Sequence, residues 1–322
     1  MPVRASRIVS LCLSTIAVAQ AHAEDIQLEE IIVTAQKRSE SLQDVPISVS
    51  VVGGAKIAEA NIQNLQEMTP YVPNFYQVKT PTSNEIYIRG IGSSSNAGFE
   101  QSVGMFYDDI YMSRARQTLT PFFDLSRVEV LRGPQPILFG KNTSAGAISI
   151  ISAQPTREFE ATVSALAGTQ DERKLAGSVS GPLSNNLGGR LAFIGQHIGG
   201  WVKNEFNDEY EPVNDDYALR GILAFDAGDW FDGFLKVERS RSKQEGAPYE
   251  ITKNTQIPDT GAANPSPNGW IPPQLTGVEA GIDYRGNFGN TAPFEGPTVD
   301  FDGTLDNVAL HLNFQLGEHT LT

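Results

Sequence analysis

A strict alternation of apolar and polar side chains limits what the C-terminal half of this chain can fold into. Residues of one type recur at every second position, as on the two faces of an extended strand. The clear segments are 217–226, 231–238 and 308–316, and weaker ones are 158–168, 173–180 and 190–199. One apolar face and one polar face suit a wall between lipid and water. The pattern therefore predicts about six antiparallel strands of a transmembrane β-barrel over residues 156–322.

Residues 1–23 have the features of a cleaved signal peptide. Arg4 and Arg7 precede an apolar run over 8–19, and Ala21 and Ala23 supply small residues for cleavage. The run is shorter than the ~20 residues that a membrane-spanning helix needs. The one cysteine, Cys12, lies inside this segment, so no disulfide is predicted in the mature chain.

Charge and histidine placement exclude several classes of function. The formal net charge of -14 argues against a nucleic-acid partner, because phosphates require a basic face. His197, His311 and His319 form no spaced ligand set and no catalytic triad. The sequence therefore predicts no catalytic residue, no metal site, no cofactor and no enzyme activity.

Residues 44–155 read as a small α+β domain. A strand near 47–52 leads to a predicted helix over 55–68, and Pro70 and Pro73 follow it. A second strand covers 85–89. A hairpin is predicted over 103–111, with Asp108-Asp109 as its tight turn.

Four separate blocks of this domain resemble the plug domain of TonB-dependent outer-membrane receptors of the siderophore-receptor type, and they occur in the family's order. They are Tyr87–Gly90, Val103–Tyr111, Arg127–Pro134 and Phe139–Ile148. The resemblance implies an N-terminal segment over 24–43, a plug over 44–155 and the first part of a barrel over 156–322. It also implies an outer-membrane location in a Gram-negative bacterium.

The segment 29–38 resembles the TonB box of that family. The resemblance implies that TonB, with its inner-membrane energising complex, binds Ile31, Ile32, Val33, Thr34 and Ala35. An exposed extended segment can add a strand to the edge of a partner's sheet. The alternative is an ordinary edge strand.

Two arginines and two loops of the plug are the other candidate sites. In the family, the arginines at the positions of Arg89 and Arg132 pair with glutamates of the barrel wall, which locks the plug; the alternative is that both stabilise the plug's own turns. Outward loops would bind the ligand, an anionic metal chelate or another nutrient, although solvated loop charge is the alternative for the arginines. The candidate ligand residues are Ser93, Ser94, Ser95, Asn96, Phe99, Arg114 and Arg116.

The resemblance implies active transport of a scarce nutrient, by default an iron–siderophore complex, through a barrel that the plug gates and outer-membrane lipid surrounds. Plugged barrels have about 22 strands, so six strands suggest the N-terminal fragment of such a transporter. One alternative is a non-transporting periplasmic or secreted β-rich binding module, with rows such as 308–316 covered by a second sheet. The other is a non-functional gene remnant.

Overall fold

The computed structural model describes most of the chain between residues 32 and 321. The described ranges are 32–34, 40–79, 84–92, 101–113, 121–203, 210–228, 230–246, 301–317 and 319–321. The predicted signal peptide lies outside them, as does most of the long connection predicted over 244–303.

Residues 32–155, here called the N-terminal domain, are built around a mixed sheet of five strands in the order β3-β9-β10-β7-β8. Only β10 and β7 are parallel to each other. A second sheet has the order β4-β5-β6, and β1 pairs with β2. The strands are β1 Ile32–Val33, β2 Glu40–Ser41, β3 Ser48–Gly53, β4 Phe75–Lys79, β5 Asn84–Ile88, β6 Ile91–Gly92, β7 Val103–Tyr107, β8 Ile110–Met112, β9 Leu125–Arg132 and β10 Gly146–Ser152.

The main core of this domain forms on the apolar face of its central strands. In β9 and β10 the side chains of Val128, Val130 and Ile148 are fully buried. They pack in one cluster with Leu65, Met68 and other apolar residues between positions 57 and 72. Burial of this apolar surface is the main stabilising contribution.

The predicted continuous helix over 55–68 is wrong. The structure has helix α1 at Gly54–Glu59 and then a separate 3₁₀ helix at Gln66–Tyr71, while a short helix α2 covers Pro136–Phe139. Asn61 takes a left-handed backbone conformation with φ 49°, which ends the first helix. The side chain of Asn64 then accepts hydrogen bonds from the amides of Gln66 and Glu67, at 3.0 and 3.2 Å, and so starts the second.

The second half of the chain forms one antiparallel sheet of seven described strands, here called the wall sheet. Its order is β11-β12-β13-β16-β17-β18-β19, and a small hairpin of β14 and β15 lies in the connection after β13. The strands are β11 Glu160–Ala167, β12 Arg173–Ser184, β13 Leu187–Ile198, β14 Val202–Lys203, β15 Tyr210–Glu211, β16 Val213–Asp226, β17 Phe231–Glu245, β18 Phe301–Leu316 and β19 His319–Leu321. All six predicted strands are present, several of them longer than predicted. The described strands form an open sheet.

The two faces of the wall sheet have opposite surroundings. On the outer face large apolar side chains are exposed, among them Val308 at 66% and Leu310 at 63%. On the inner face Ala192, Ile194 and Ala218 pack against Phe123 of the N-terminal domain. Among the described strands, no second sheet covers the outer face, which does not fit the predicted sandwich alternative. No helix in the described ranges is long and apolar enough to cross a bilayer.

Candidate functional site

An ion pair buried between the N-terminal domain and the wall sheet joins Asp108 to Lys236. Asp108 lies in the turn between β7 and β8, and Lys236 points inward from β17; both side chains are almost completely buried, and Lys236 Nζ donates to Asp108 Oδ2. The same carboxylate accepts from the amide and the hydroxyl of Ser152, at 2.8 and 2.7 Å. A buried charge of this kind is stable only when it is paired and hydrogen-bonded.

A second buried group surrounds Tyr107, beside that pair. The Tyr107 hydroxyl donates to Glu238 Oε2 over 3.0 Å and accepts from Arg220. Arg220 also donates through Nε to Glu238 Oε2 at 2.7 Å. Burial raises the pKa of Tyr107 well above its usual range, so the phenol keeps the proton that it donates. Asp108, Tyr107, Lys236, Arg220 and Glu238 together form what we call the charged network.

Further polar contacts continue along the inner face of the wall sheet. Arg190 donates to both oxygens of Asp124, with Nε 2.8 Å from Oδ2. Close to the C-terminal end of α1, Lys174 Nζ donates to Asn61 Oδ1 at 2.9 Å. The side-chain amide of Gln63 donates through Nε2 to Glu172 Oε1 at 3.0 Å. The sheet thus holds the domain through side chains from β12, β13, β16 and β17.

The sequence analysis did not identify the charged network, although a signal for it was present. Arg220, Lys236 and Glu238 occupy inward positions of otherwise two-faced strands, where a buried charge requires a partner. A search for charged residues at inward positions would have found all three.

The two candidate locking arginines lie together, on the N-terminal domain itself. Arg89 has φ 53°, and its amide donates to Asn74 O at 2.8 Å. Arg132 ends β9 and donates to Pro73 O at 3.5 Å, while its Nε is buried without a hydrogen-bond partner. Within the described ranges neither guanidinium contacts a carboxylate of the wall sheet. The Arg132 contact fits the alternative in which this arginine supports a local turn, whereas the Arg89 contact involves its backbone only; pairing of both with barrel glutamates stays a prediction.

The described part of the predicted TonB box is docked on the N-terminal domain. Ile32 and Val33 form β1, and the Val33 side chain is fully buried. The Thr34 amide donates to Glu129 Oε1 at 2.8 Å. The expected extended backbone of Ile32 and Val33 is present, whereas the expected exposure is wrong for Val33, which packs in a small cluster with Leu131 and Phe139. Ile31 and Ala35 lie outside the described residues.

The predicted ligand residues all lie outside the described ranges: Ser93, Ser94, Ser95, Asn96, Phe99, Arg114 and Arg116. Nor do the described residues contain a group of three or more His, Cys, Asp or Glu side chains arranged to hold a metal ion. A cleft of about 970 Å³ does separate the N-terminal domain from the wall sheet, and its lining includes Thr34, Asp108, Asp232 and His311.

Comparison with known proteins identifies the N-terminal domain. Residues 41–147 match the TonB-dependent receptor plug domain family. This domain is a TonB-dependent receptor plug domain. The relatives that share it are outer-membrane receptors of Gram-negative bacteria and not enzymes, which agrees with the location and the class predicted from the sequence.

Two relatives of the chain are named for siderophores. The ferrioxamine B receptor of Salmonella typhimurium is 25% identical over 65% of this chain and 30% of its own length. The ferripyoverdine receptor of Pseudomonas aeruginosa is 30% identical over 61% of this chain and 23% of its own length. The chain therefore spans less than a third of these two relatives.

Solved structures show the same fold. The ferric yersiniabactin uptake receptor of Yersinia pestis superposes with a TM-score of 0.65 at 18% identity, covering 84% of this chain and 38% of that one. The P. aeruginosa ferripyoverdine receptor bound to ferripyoverdine gives 0.65 at 18% identity, covering 89% and 34%.

Proposed function

We propose that this receptor takes up an iron–siderophore complex across the outer membrane, with TonB supplying the energy through residues 31–35. The N-terminal domain acts as the plug that gates the pore, and the wall sheet is part of a transmembrane β-barrel with its outer face against lipid. The candidate loop residues at 93–99 and 114–116 contact the chelate.

The observation that carries this proposal is the pairing of a plug domain with a two-faced sheet. The inner face of the sheet holds the plug through buried ion pairs, while its outer face exposes a continuous apolar surface. An apolar outer face and a polar inner face are what a sheet needs between lipid and an aqueous lumen. One plug fold serves several substrates, so the fold does not choose among them. Support for the siderophore class comes from the names of the relatives.

Uptake by cells with and without the gene tests this function. Radioactive iron is supplied as ferrioxamine B, as a pyoverdine and as a catecholate chelate, and labelled cobalamin serves as a parallel substrate. We expect deletion to abolish uptake of one iron chelate and to leave cobalamin uptake unchanged. A protonophore should stop the same uptake, because the energy comes from the inner membrane. Unchanged uptake of every iron chelate after deletion would contradict the proposal.

Substitution within the docking segment separates transport from binding. Proline at position 32 removes a backbone hydrogen-bond donor that strand addition uses, whereas alanine keeps it. Ile32→Pro should retain chelate binding at the cell surface and lose uptake, and Ile32→Ala should retain both. Equal uptake by the two variants would show that strand addition at residue 32 is not needed for transport.

A further inference from the structure

We infer that a groove on the outer face of the wall sheet holds one acyl chain of a zwitterionic phospholipid from the periplasmic leaflet, with the head group at Arg157 and Glu158. This inference rests on the proposed function, because it concerns the lipid in contact with the outer face of the proposed barrel.

The groove crosses the four neighbouring strands β12, β13, β16 and β17, and is here called the outer groove. Its volume is about 470 Å³. The side chains that border it are apolar and exposed, by between 40% and 75%. They include Phe159, Val179, Leu183, Leu191, Leu223 and Val237. A groove with this lining suits a hydrocarbon occupant.

Strand register gives the outer groove its dimensions. In one row Gly181 faces Gly189, which faces Leu223 on the next strand. In the next row of the same face Leu191 faces Gly221. Strands lie about 4.8 Å apart, so four strands span about 14 Å, and two rows of one face are about 7 Å apart. These dimensions fit one extended acyl chain, whereas a helix is about 10 Å across.

Gly221 leaves a gap in the floor of the outer groove. A Cβ atom added at Gly221 would meet no atom of the protein within 4 Å. Other glycines of the same face are covered, since a Cβ at Gly177 would lie 2.9 Å from the Phe193 ring and one at Gly189 would lie 2.8 Å from Leu183. Cover of a sheet glycine by a neighbouring side chain is a common stabilising arrangement. At Gly221 an acyl chain supplies this cover.

Van der Waals packing determines why a chain prefers this place to the rest of the outer face. Bulk lipid is as apolar as the lining, so the hydrophobic effect contributes little inside a bilayer. A chain in the outer groove contacts protein on its floor and along both sides, whereas a chain on a flat part of the sheet contacts protein on one side. Each atomic contact is weak, but the contacts along a whole chain add up.

The location of the outer groove relative to the strand ends determines the leaflet. Leu183 borders the groove and directly precedes residues 184–186, which line the same cleft as Thr34. Thr34 belongs to the proposed TonB-binding residues, which face the periplasm because TonB comes from the inner membrane. At the other end, the outward position after Val237 is Arg239, whose side chain is 75% exposed. The groove therefore begins at the periplasmic end of the apolar face.

Two charged side chains at this end match a phospholipid head group. Arg157 and Glu158 directly precede Phe159, and both are exposed. Within the described ranges neither side chain forms an ion pair with the protein. A guanidinium pairs well with a phosphate, and a carboxylate pairs with an ammonium group. A phospholipid with a phosphate and an amine, such as phosphatidylethanolamine, presents both groups to this end of the groove.

Counting the lipid that survives delipidation tests the outer groove. The receptor is purified from outer membranes and washed in detergent, and the lipid that remains is identified and counted by mass spectrometry. We expect about one phosphatidylethanolamine per receptor, because chains on the flat surface have fewer contacts and wash off. Gly221→Leu fills the gap without a clash and should lower the retained amount by about tenfold. Ala165→Leu places the same side chain at an exposed position outside the groove and should retain the lipid.

A phosphatidylethanolamine with a photoreactive diazirine on its acyl chain gives a second readout, in bilayers and without detergent. In the unaltered receptor the crosslinks should concentrate in peptides that cover 175–191 and 219–238. Gly221→Leu should spread them over the outer face. Arg157→Gln should lower lipid retention by a smaller factor, about threefold, and Arg157→Lys should restore most of it because the charge is kept.

The outcomes separate the outer groove from the proposed function. Evenly spread crosslinks in the unaltered receptor, or equal loss of lipid in Gly221→Leu and Ala165→Leu, would overturn the groove and leave the barrel in place. Retention of lipid A in place of a phospholipid would overturn the assignment to the periplasmic leaflet. Absence of crosslinks from every outer-face peptide would contradict the membrane position of the sheet, and with it the proposed function.

Discussion

Several charged side chains of this molecule are buried, and each needs a partner of opposite charge. Lys236 lies between Asp108 and the face of Tyr107, with Nζ 3.9 Å from the ring centroid. Arg220 similarly lies over Phe123 at 4.2 Å and bonds to Glu238. Removal of one partner from a buried pair is more harmful than removal of both, because the remaining charge has no compensation.

A double-mutant cycle on Asp108 and Lys236 tests this account. Asp108→Asn keeps the shape and the acceptor for Ser152 but leaves Lys236 unpaired, which we expect to lower the free energy of plug unfolding by about 3–5 kcal/mol. Lys236→Met should cost less, since Asp108 keeps its two Ser152 bonds. The double variant should recover most of the loss caused by Asp108→Asn. Urea titration of the folded receptor measures each value, and additive effects would contradict the pairing.

At this level the sequence predicts which side chains face inward but not which partners they meet. Strand parity places Lys236 and Glu238 on the polar face, because period-two alternation is a local property. Their partners are 128 and 131 residues away along the chain, so only the packing of the domain in the sheet determines the pairs. For the same reason the burial of Val33 and its neighbour's bond to Glu129 could not be predicted from a short apolar run.

The hairpin of β7 and β8 places Tyr107 and Asp108 at the interface between the N-terminal domain and the wall sheet. Tyr107 pairs with Ile110 across a turn of two residues. Asp108 and Asp109 both have positive φ, at 45° and 65°, as in the turn that suits hairpin twist. The turn was predicted because aspartate tolerates this conformation. The helix over 55–68 was predicted wrongly because the left-handed Asn61 and the cap of Asn64 are specific local interactions that periodicity does not contain.

Substitutions at Asp109 test the turn without disturbing the network. Asp109 is exposed, so its replacement changes chiefly the backbone preference. Asp109→Gly should raise the free energy of unfolding by less than the ~1–2 kcal/mol that a left-handed conformation costs a side chain, because glycine accepts positive φ at no steric cost but loses more conformational freedom on folding. Asp109→Val should lower it by about 1–2 kcal/mol. Chemical denaturation measures both, and equal stability of the two variants would show that the turn is not strained.

The whole molecule combines a plug with a single sheet that has one polar face and one apolar face. Asn307 is buried on the inner face beside Val308, which is exposed on the outer face. The sequence predicts this arrangement well, since alternation alone separates the two faces. It does not predict how the sheet holds the plug, which depends on contacts between distant segments.

Quenching by brominated lipid tests most directly whether the outer face lies against the membrane. A fluorophore is attached at Val308→Cys or at Asn307→Cys in receptor embedded in bilayers, since the predicted mature chain has no cysteine of its own. We predict strong quenching at position 308 and little at position 307, because consecutive strand residues point to opposite faces. Equal quenching at both positions, or stronger quenching at 307, would contradict a membrane-spanning sheet that encloses the plug.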